Sequence, residues 1–361
     1  MVKLAAAGMH RTGILRLVQH FSQRFEVIHS NGGLVPALKR VRSPRFVIIC
    51  YHSVGTGGVP FHSGIDEQVF EQQIRFLRNS YRIVTVDEIC RELDEDGRPG
   101  QAVALTFDDG YRSVYTKAFP VLRKYGVPAT VYLTASAVET GEISWYDRIF
   151  AAAMLCPADT IQIEGDAQRR FALTSQESRM RAATEIVKTL RGYSNQARIA
   201  ACAALDKKAQ LPPAETKDRM LTWAQIHEMQ KSGIHFGAHT MSHPAVSRLS
   251  PSEWEHELVD SKRLLEERLQ QQVVHFAFPF GSPADIGKEI CSVLPGYGYR
   301  SAVSTAWGVN TPDTNRYLLR RIGGEEPSLP LFALRLRSVF LNEQPPSPEL
   351  QELMGAAQTR E

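Results

Sequence analysis

Val103-Ala104-Leu105-Thr106-Phe107-Asp108-Asp109-Gly110-Tyr111 runs from a buried strand straight into two adjacent carboxylates and a glycine. Taking one carboxylate out of water is costly, and two neighbours repel, unless a cation or a proton resolves the conflict. The fold must therefore bring a partner to this strand end.

Outward from that strand, strands and helices alternate. Phe46–Tyr51 reads as a buried strand, and Phe70, Ile74 and Leu77 recur at helical spacing. Arg82–Val84 is a short strand, followed by a capping box at Thr85 and Glu88 and a helix that Gly97 and Pro99 end. After strand 102–107 come a helix carrying Val114, Phe119, Val121 and Leu122, a stop at Gly126, and strand 129–133. Thr222 and Gln225 form a second box, its helix stopping at Gly233 before strand 234–238. Ser250 and Glu253 form a third, with Pro251 at the first helical position, ahead of strand 273–278. Alternation of this length means parallel strands with crossover helices, about seven strands in all, in a barrel or a wound sheet.

Residues 139–221 break the rhythm. They are rich in Ala and Arg, hold a helix opening at Thr174 with Glu177 three residues on, and read as a largely helical insertion over one face of the core. The domain plan is an N-terminal extension (1–45), one α/β domain (46–343) carrying that insertion, and a flexible Pro-rich tail (344–361).

Composition narrows the function classes. The 42 basic and 39 acidic side chains nearly balance, which gives no support to nucleic acid as a partner. The five cysteines are odd in number, with no CxxC pair, and read as reduced thiols rather than a disulfide framework or a zinc knuckle. No stretch reaches the roughly 20 apolar residues that span a bilayer, and the N-terminus lacks the pattern of a secretory signal. Ile14, Leu15, Leu17, Val18, Phe21 and Phe25 make an apolar helical stripe flanked by Arg11, Arg16 and Arg24. It docks on the core or lies on a membrane surface. The expected compartment is the cytoplasm, with peripheral contact at the inner membrane face left open. Oligomeric state is not legible.

A second constellation, Gly237-Ala238-His239-Thr240-Met241-Ser242-His243-Pro244, also follows a strand. Histidines at i and i+4 suit one metal, although the spacing alone is weak evidence. The carboxyl ends of strands are where parallel α/β folds collect catalytic groups. One carboxylate with two imidazoles makes the open three-ligand set of a catalytic divalent-metal site, and leaves the other carboxylate free as a base.

Thr106-Phe107-Asp108-Asp109-Gly110-Tyr111 together with His239-Thr240-Met241-Ser242-His243-Pro244 resembles the polysaccharide deacetylase family, the carbohydrate esterases of the nodulation-deacetylase homology domain. The resemblance spans about residues 46–325 around the insertion. It implies a distorted (β/α)7-type barrel and metal-dependent hydrolysis of acetyl groups, N-linked more often than O-linked, on sugars of a polysaccharide, oligosaccharide or lipid-linked precursor. It implies Asp108 as general base and Asp109, His239 and His243 as ligands of a divalent ion, zinc first, with cobalt, nickel or manganese as alternatives.

The family's Arg-x-Pro-aromatic-Gly motif corresponds to Ala277-Phe278-Pro279-Phe280-Gly281, so the arginine that holds the base is missing there. Arg320 or Arg321 is its candidate replacement. Pro279 and Phe280 would border the substrate, with a backbone N–H near Phe280 facing the oxyanion, and Tyr111 joins that substrate set. Trp145, beside Tyr146 and Asp147, would line a sugar cleft by stacking or pack in the insertion core. The family's C-terminal acid histidine is absent too, since no histidine follows His275. Tyr51-His52-Ser53-Val54 resembles the Tyr-His motif of the poly-N-acetylglucosamine deacetylase branch, which makes His52 the candidate general acid and His62 its reserve. Two rival readings stay open: an inactive sugar-binding module, and an amidase acting on a non-sugar amide.

Overall fold

The structure, a computed structural model, describes residues 44–55, 64–94, 100–163, 169–211, 219–287 and 289–341. The N-terminal stripe, His62, Gly97, Pro99 and the tail lie outside them.

The strands in chain order are β1 (Pro44–Tyr51), β2 (Arg82–Ile83), β3 (Gly100–Phe107), β4 (Ala129–Leu133), β5 (Thr160–Gln162), β6 (Arg170–Ala172), β7 (Ile234–Ala238), β8 (His275–Ala277), β9 (Ser301–Val303) and β10 (Arg321–Gly323). Seven of them pair in the order β10-β1-β3-β4-β7-β8-β9, all parallel, and β2 adds to β3. The ends of this path meet through one parallel bridge, Val303 to Leu319, so the sheet is a nearly closed, distorted (β/α) barrel of seven strands. Of the two architectures that alternation allows, the barrel is the one formed.

Strand parity decides what enters the barrel. Val47, Ile49, Tyr51, Val103, Leu105, Phe107, Val131 and Leu133 join the large cluster shared with the surrounding helices. The alternate residues Phe46, Ile48, Ala102, Ala104, Tyr132 and Ala277 form a separate inner cluster. With both faces covered, these strands read as continuous apolar runs. The inner set has room for Tyr132 because Gly237 lies opposite, where an added Cβ would sit 2.5 Å from the Tyr132 ring. Continued upward, inner parity leads from Ala102 and Ala104 to Thr106 and Asp108.

All three predicted boxes outside the insertion cap helices, with reciprocal bonds at Thr85/Glu88, Thr222/Gln225 and Ser250/Glu253. The helix that begins at Pro251 passes through a π turn at Glu255–Asp260 and ends at Leu269. In the insertion the cap is one residue later than expected. Ser175, not Thr174, accepts from the Ser178 N–H, and the helix is Gln176–Leu190. With helices Trp145–Leu155 and Asn195–Ala209 and the β5–β6 hairpin, it encloses its own apolar cluster. Strand β9, only three residues long, carries too little periodicity to be recognised in the sequence. Among the described residues no helix is long and apolar enough to cross a membrane.

Candidate active site

Asp108 and Asp109 leave β3 at the carboxyl end of the barrel, both buried. Asp109 has φ +72° and Gly110 φ +88°, so the chain turns sharply there and the two carboxylates face different partners.

Asp109 faces the histidines. Its Oδ1 lies 3.5 Å from His239 Nε2 and 3.3 Å from His243 Nε2. Two ligands about 2.1 Å from one ion and about 90–110° apart would lie about 3.0–3.4 Å from each other, so this triad is spaced to share a cation. His239 Nδ1 lies 2.7 Å from the Ala277 carbonyl, which places its proton there and leaves Nε2 as a lone-pair donor. Burial, first among its causes, together with the neighbouring His243, pulls the His239 pKa down to about 4 despite the pull of Asp108 and Asp109, so the ring is neutral as a ligand must be. His243 sits in an aromatic cage, its ring 4.6 Å from Tyr146 and 4.9 Å from Phe280.

Asp108 faces an arginine. Arg321 Nη1 donates to Oδ1 at 2.8 Å and Nη2 to Oδ2 at 2.7 Å, while its Nε donates to the Ser304 carbonyl. Burial, the largest single influence, works against the Asp108 charge, but the Arg321 guanidinium together with His239 and His52 holds the pKa down at about 2. Cys50 Sγ adds a long contact of 3.6 Å to Oδ2. Arg321 pairs with Ile48 in register and shares its inward side, whereas Arg320 is exposed with its side chain against Gly308. Only Arg321 of the pair reaches the carboxylate. It arrives from β10, two strands from β3, where Ala277 on β8 leaves no arginine to do so.

His52 stands just past β1, with ligating atoms of Cys50, His52 and Asp108 all within 4.8 Å of one another. Its Nδ1 is 3.4 Å from Glu325 Oε1, which also accepts from the His52 backbone N–H at 2.7 Å. Burial disfavours the imidazolium, yet the Glu325 carboxylate, with Asp109 and Asp108 beyond it, raises the His52 pKa to about 9. Glu325 carries no sequence signal beyond its place after Gly323-Gly324, and it is 273 positions from its partner.

Two expected substrate residues are placed otherwise. The Tyr111 side chain is buried and donates to Asp147 Oδ2 at 2.7 Å, tying the loop after β3 to the insertion. Trp145 is also buried, and its Nε1 donates to the His243 carbonyl at 2.9 Å. Its face takes the Arg198 guanidinium, 5.0 Å from the ring centre, so Trp145 packs within the insertion and braces the His239–His243 loop. Phe280 is half-buried at φ +60°, next to Gly281, where an added Cβ would meet the Thr305 N at 2.8 Å. Pro279 is buried behind it.

Comparison with known proteins follows the same outline. The family profile for polysaccharide deacetylase matches residues 95–302. The Bacillus subtilis protein YxkH, a polysaccharide deacetylase by designation, is 23% identical over 287 residues, covering 79% of this chain and 73% of its own. The poly-β-1,6-N-acetyl-D-glucosamine N-deacetylase of Escherichia coli is 36% identical over 99 residues, 26% of this chain and 15% of that protein. Among solved structures, the Streptococcus pyogenes deacetylase PplD in complex with acetate superposes with a TM-score of 0.54 at 20% identity, covering 81% of this chain and 97% of that one. IcaB from Ammonifex degensii gives 0.50 at 22% identity, with coverage of 77% and 91%.

Proposed function

Since this chain belongs to the polysaccharide deacetylase family, we propose that it hydrolyses the N-acetyl amide of an N-acetylated glycan, releasing acetate and a free sugar amine. The observation that carries this reading is the pair of unlike carboxylates. Asp109 sits beside two imidazole nitrogens and Asp108 on a guanidinium, so one is suited to a cation and its neighbour to a proton. A sugar-binding module without activity has no use for a base held in this way.

Asp109, His239 and His243 would hold a divalent cation, which would supply Lewis acidity toward the acetyl carbonyl and toward water. Zinc is our choice, because one carboxylate and two imidazoles suit its borderline character. Asp108 accepts the proton of the attacking water, with Arg321 keeping the carboxylate ionised and aimed. A backbone N–H near Phe280 faces the oxyanion, and Phe280, with Pro279 buried behind it, borders the sugar. His52, charged and oriented by Glu325, donates a proton to the departing nitrogen, without which the amine is a poor leaving group. Acetate release from N-acetylated oligosaccharides, measured beside metal content, tests the whole. Metal-loaded protein that releases no acetate from any of them, yet cleaves other acyl amides, would favour the non-sugar amidase.

Asp109→Ala, His239→Ala and His243→Ala are each expected to lose retained metal on gel filtration, by metal analysis of the eluted protein. A variant holding one equivalent removes its residue from the ligand set.

The acid role of His52 predicts a pH profile. Its folded pKa is raised, so the proton-donating form is complete at neutral pH and is lost as pH rises toward about 9. A cation beside Asp109 offsets part of that pull, so turnover should bend downward at or below about pH 9. Glu325→Gln removes the nearest raising charge and should move the bend to lower pH. A profile unchanged in both Glu325→Gln and His52→Gln assigns the acid elsewhere.

A further inference from the structure

The loop Thr240–His243 carries a metal ligand on a backbone that L-residues avoid. Thr240 has φ +64° and His243 φ +59°, and such conformations cost on the order of 1–3 kcal/mol each unless the surroundings impose them. Thr240 and His243 are tied to each other by the His243 N–H donating to Thr240 Oγ1, and the two residues between them are held by a buried carboxylate outside the ligand set. Glu257, 1% exposed in the π turn Glu255–Asp260, accepts at Oε2 from the backbone N–H of Met241 (3.0 Å) and of Ser242 (2.9 Å). At Oε1 it accepts from the Ser242 hydroxyl at 2.6 Å. The extra residue of a π turn, a feature frequent at functional sites, sits where it can aim this side chain at the loop.

A buried carboxylate needs a counter-charge, and none of the described basic residues forms a direct ion pair with Glu257. The insertion provides one at one remove. Arg198, 3% exposed on helix Asn195–Ala209, donates from Nη2 to the same Ser242 oxygen at 3.3 Å. Its other described polar partner is the neutral Asn195 Oδ1, and the carboxylates that act on its charge, Glu257 ahead of Glu253, do so without direct contact. The Ser242 hydroxyl therefore passes one hydrogen bond on to Glu257 while receiving one from Arg198. Trp145, stacked under Arg198, closes the other side of the loop through the His243 carbonyl.

We propose that the buried Glu257 and Arg198, joined through the partly buried Ser242, form a relay that sets the backbone of the His239–His243 loop, so that the insertion is a positioning part of the metal site and not merely a cover over the barrel. This rests on the metal-ligand reading above. Groups that orient ligands in this way typically change metal affinity by about 10–100-fold when removed.

The test is a zinc titration against a competing chromophoric chelator, with a thermal melt of each variant in the absence of metal. Glu257→Ala is expected to weaken zinc binding by about 10–100-fold. Glu257→Gln should recover most of it, because an amide oxygen still accepts from both N–H groups. Arg198→Met, which keeps the packing on Trp145, should weaken zinc by a smaller factor. Its effect should not add to that of Glu257→Gln in the double variant, since the charge it balances is already gone. Wild-type zinc affinity in both Glu257→Ala and Arg198→Met overturns the relay, and in Arg198→Met alone overturns the part given to the insertion. If Glu257→Ala does not fold, unchanged affinity in Glu257→Gln and Arg198→Met, with an additive double variant, overturns the proposal equally. Wild-type protein that binds no zinc overturns the ligand reading itself, a distinguishable outcome.

Discussion

Asp108→Asn is expected to leave metal bound and to lower acetate release by about 10²–10⁴-fold, the usual loss when a general base is removed. The asparagine is nearly isosteric and its oxygen can still accept from Arg321, so the barrel mouth keeps its shape. What it cannot do is take a proton. Metal content should therefore match the wild type, because Asp108 lies on the arginine side of the turn and Asp109 on the histidine side. The measurement is initial rate at saturating N-acetylated oligosaccharide with metal quantified on the same sample. A near-normal rate with metal in place would remove Asp108 as the base. A lost rate accompanied by lost metal would make it a ligand instead.

Arg321→Met should be the most destabilising single substitution at the barrel mouth. The guanidinium is 2% exposed and is the ionic partner of Asp108, itself 3% exposed. Breaking a buried pair by removing one member typically costs about 3–5 kcal/mol, because a bare carboxylate is left in a dry place. Without the arginine, burial, which heads the influences on Asp108, is opposed only by the weaker pull of the histidines, so the carboxyl pKa rises from about 2. Two readouts follow. Chemical denaturation should show the stability loss, largest at neutral pH where the unfolded carboxylate is charged and shrinking as pH falls and the buried group takes up a proton. The acid limb of the rate profile should move to higher pH. Asp108→Asn/Arg321→Met should recover much of the stability, since neither charge remains, but none of the rate. Arg320→Met, on an exposed side chain, is the control and should change little. Equal losses from Arg320→Met and Arg321→Met would mean the pair on β10 acts through general packing rather than through the base.

Much of the architecture was legible because it is local. Strands β1, β3, β4 and β7 announce themselves as apolar runs, and three helices by Ser or Thr followed three residues later by Glu or Gln. The two motifs lie where a strand ends, so the sequence alone also located the aspartates and histidines and suggested their chemistry. Packing decided the rest. Arg320 and Arg321 are indistinguishable in the sequence. The register of β10 on Ile48 turns one inward and leaves the other in solvent, because neighbouring residues of a strand face opposite sides. Trp145 in the insertion and Tyr111 after β3 look like substrate residues in the sequence, and only the fold gives their polar tips the buried partners, the His243 carbonyl and Asp147. Glu325 and Glu257 carry no signature at all. A carboxylate acquires a role from what the chain brings within 3 Å of it, and here that is the His52 amide from the far end of the domain and the Ser242 loop from across a π turn. Spacing in the sequence identified which groups could do the chemistry. Only closure of the barrel, which brings β10 beside β1 and the insertion under the histidine loop, determined which charged groups hold them in place.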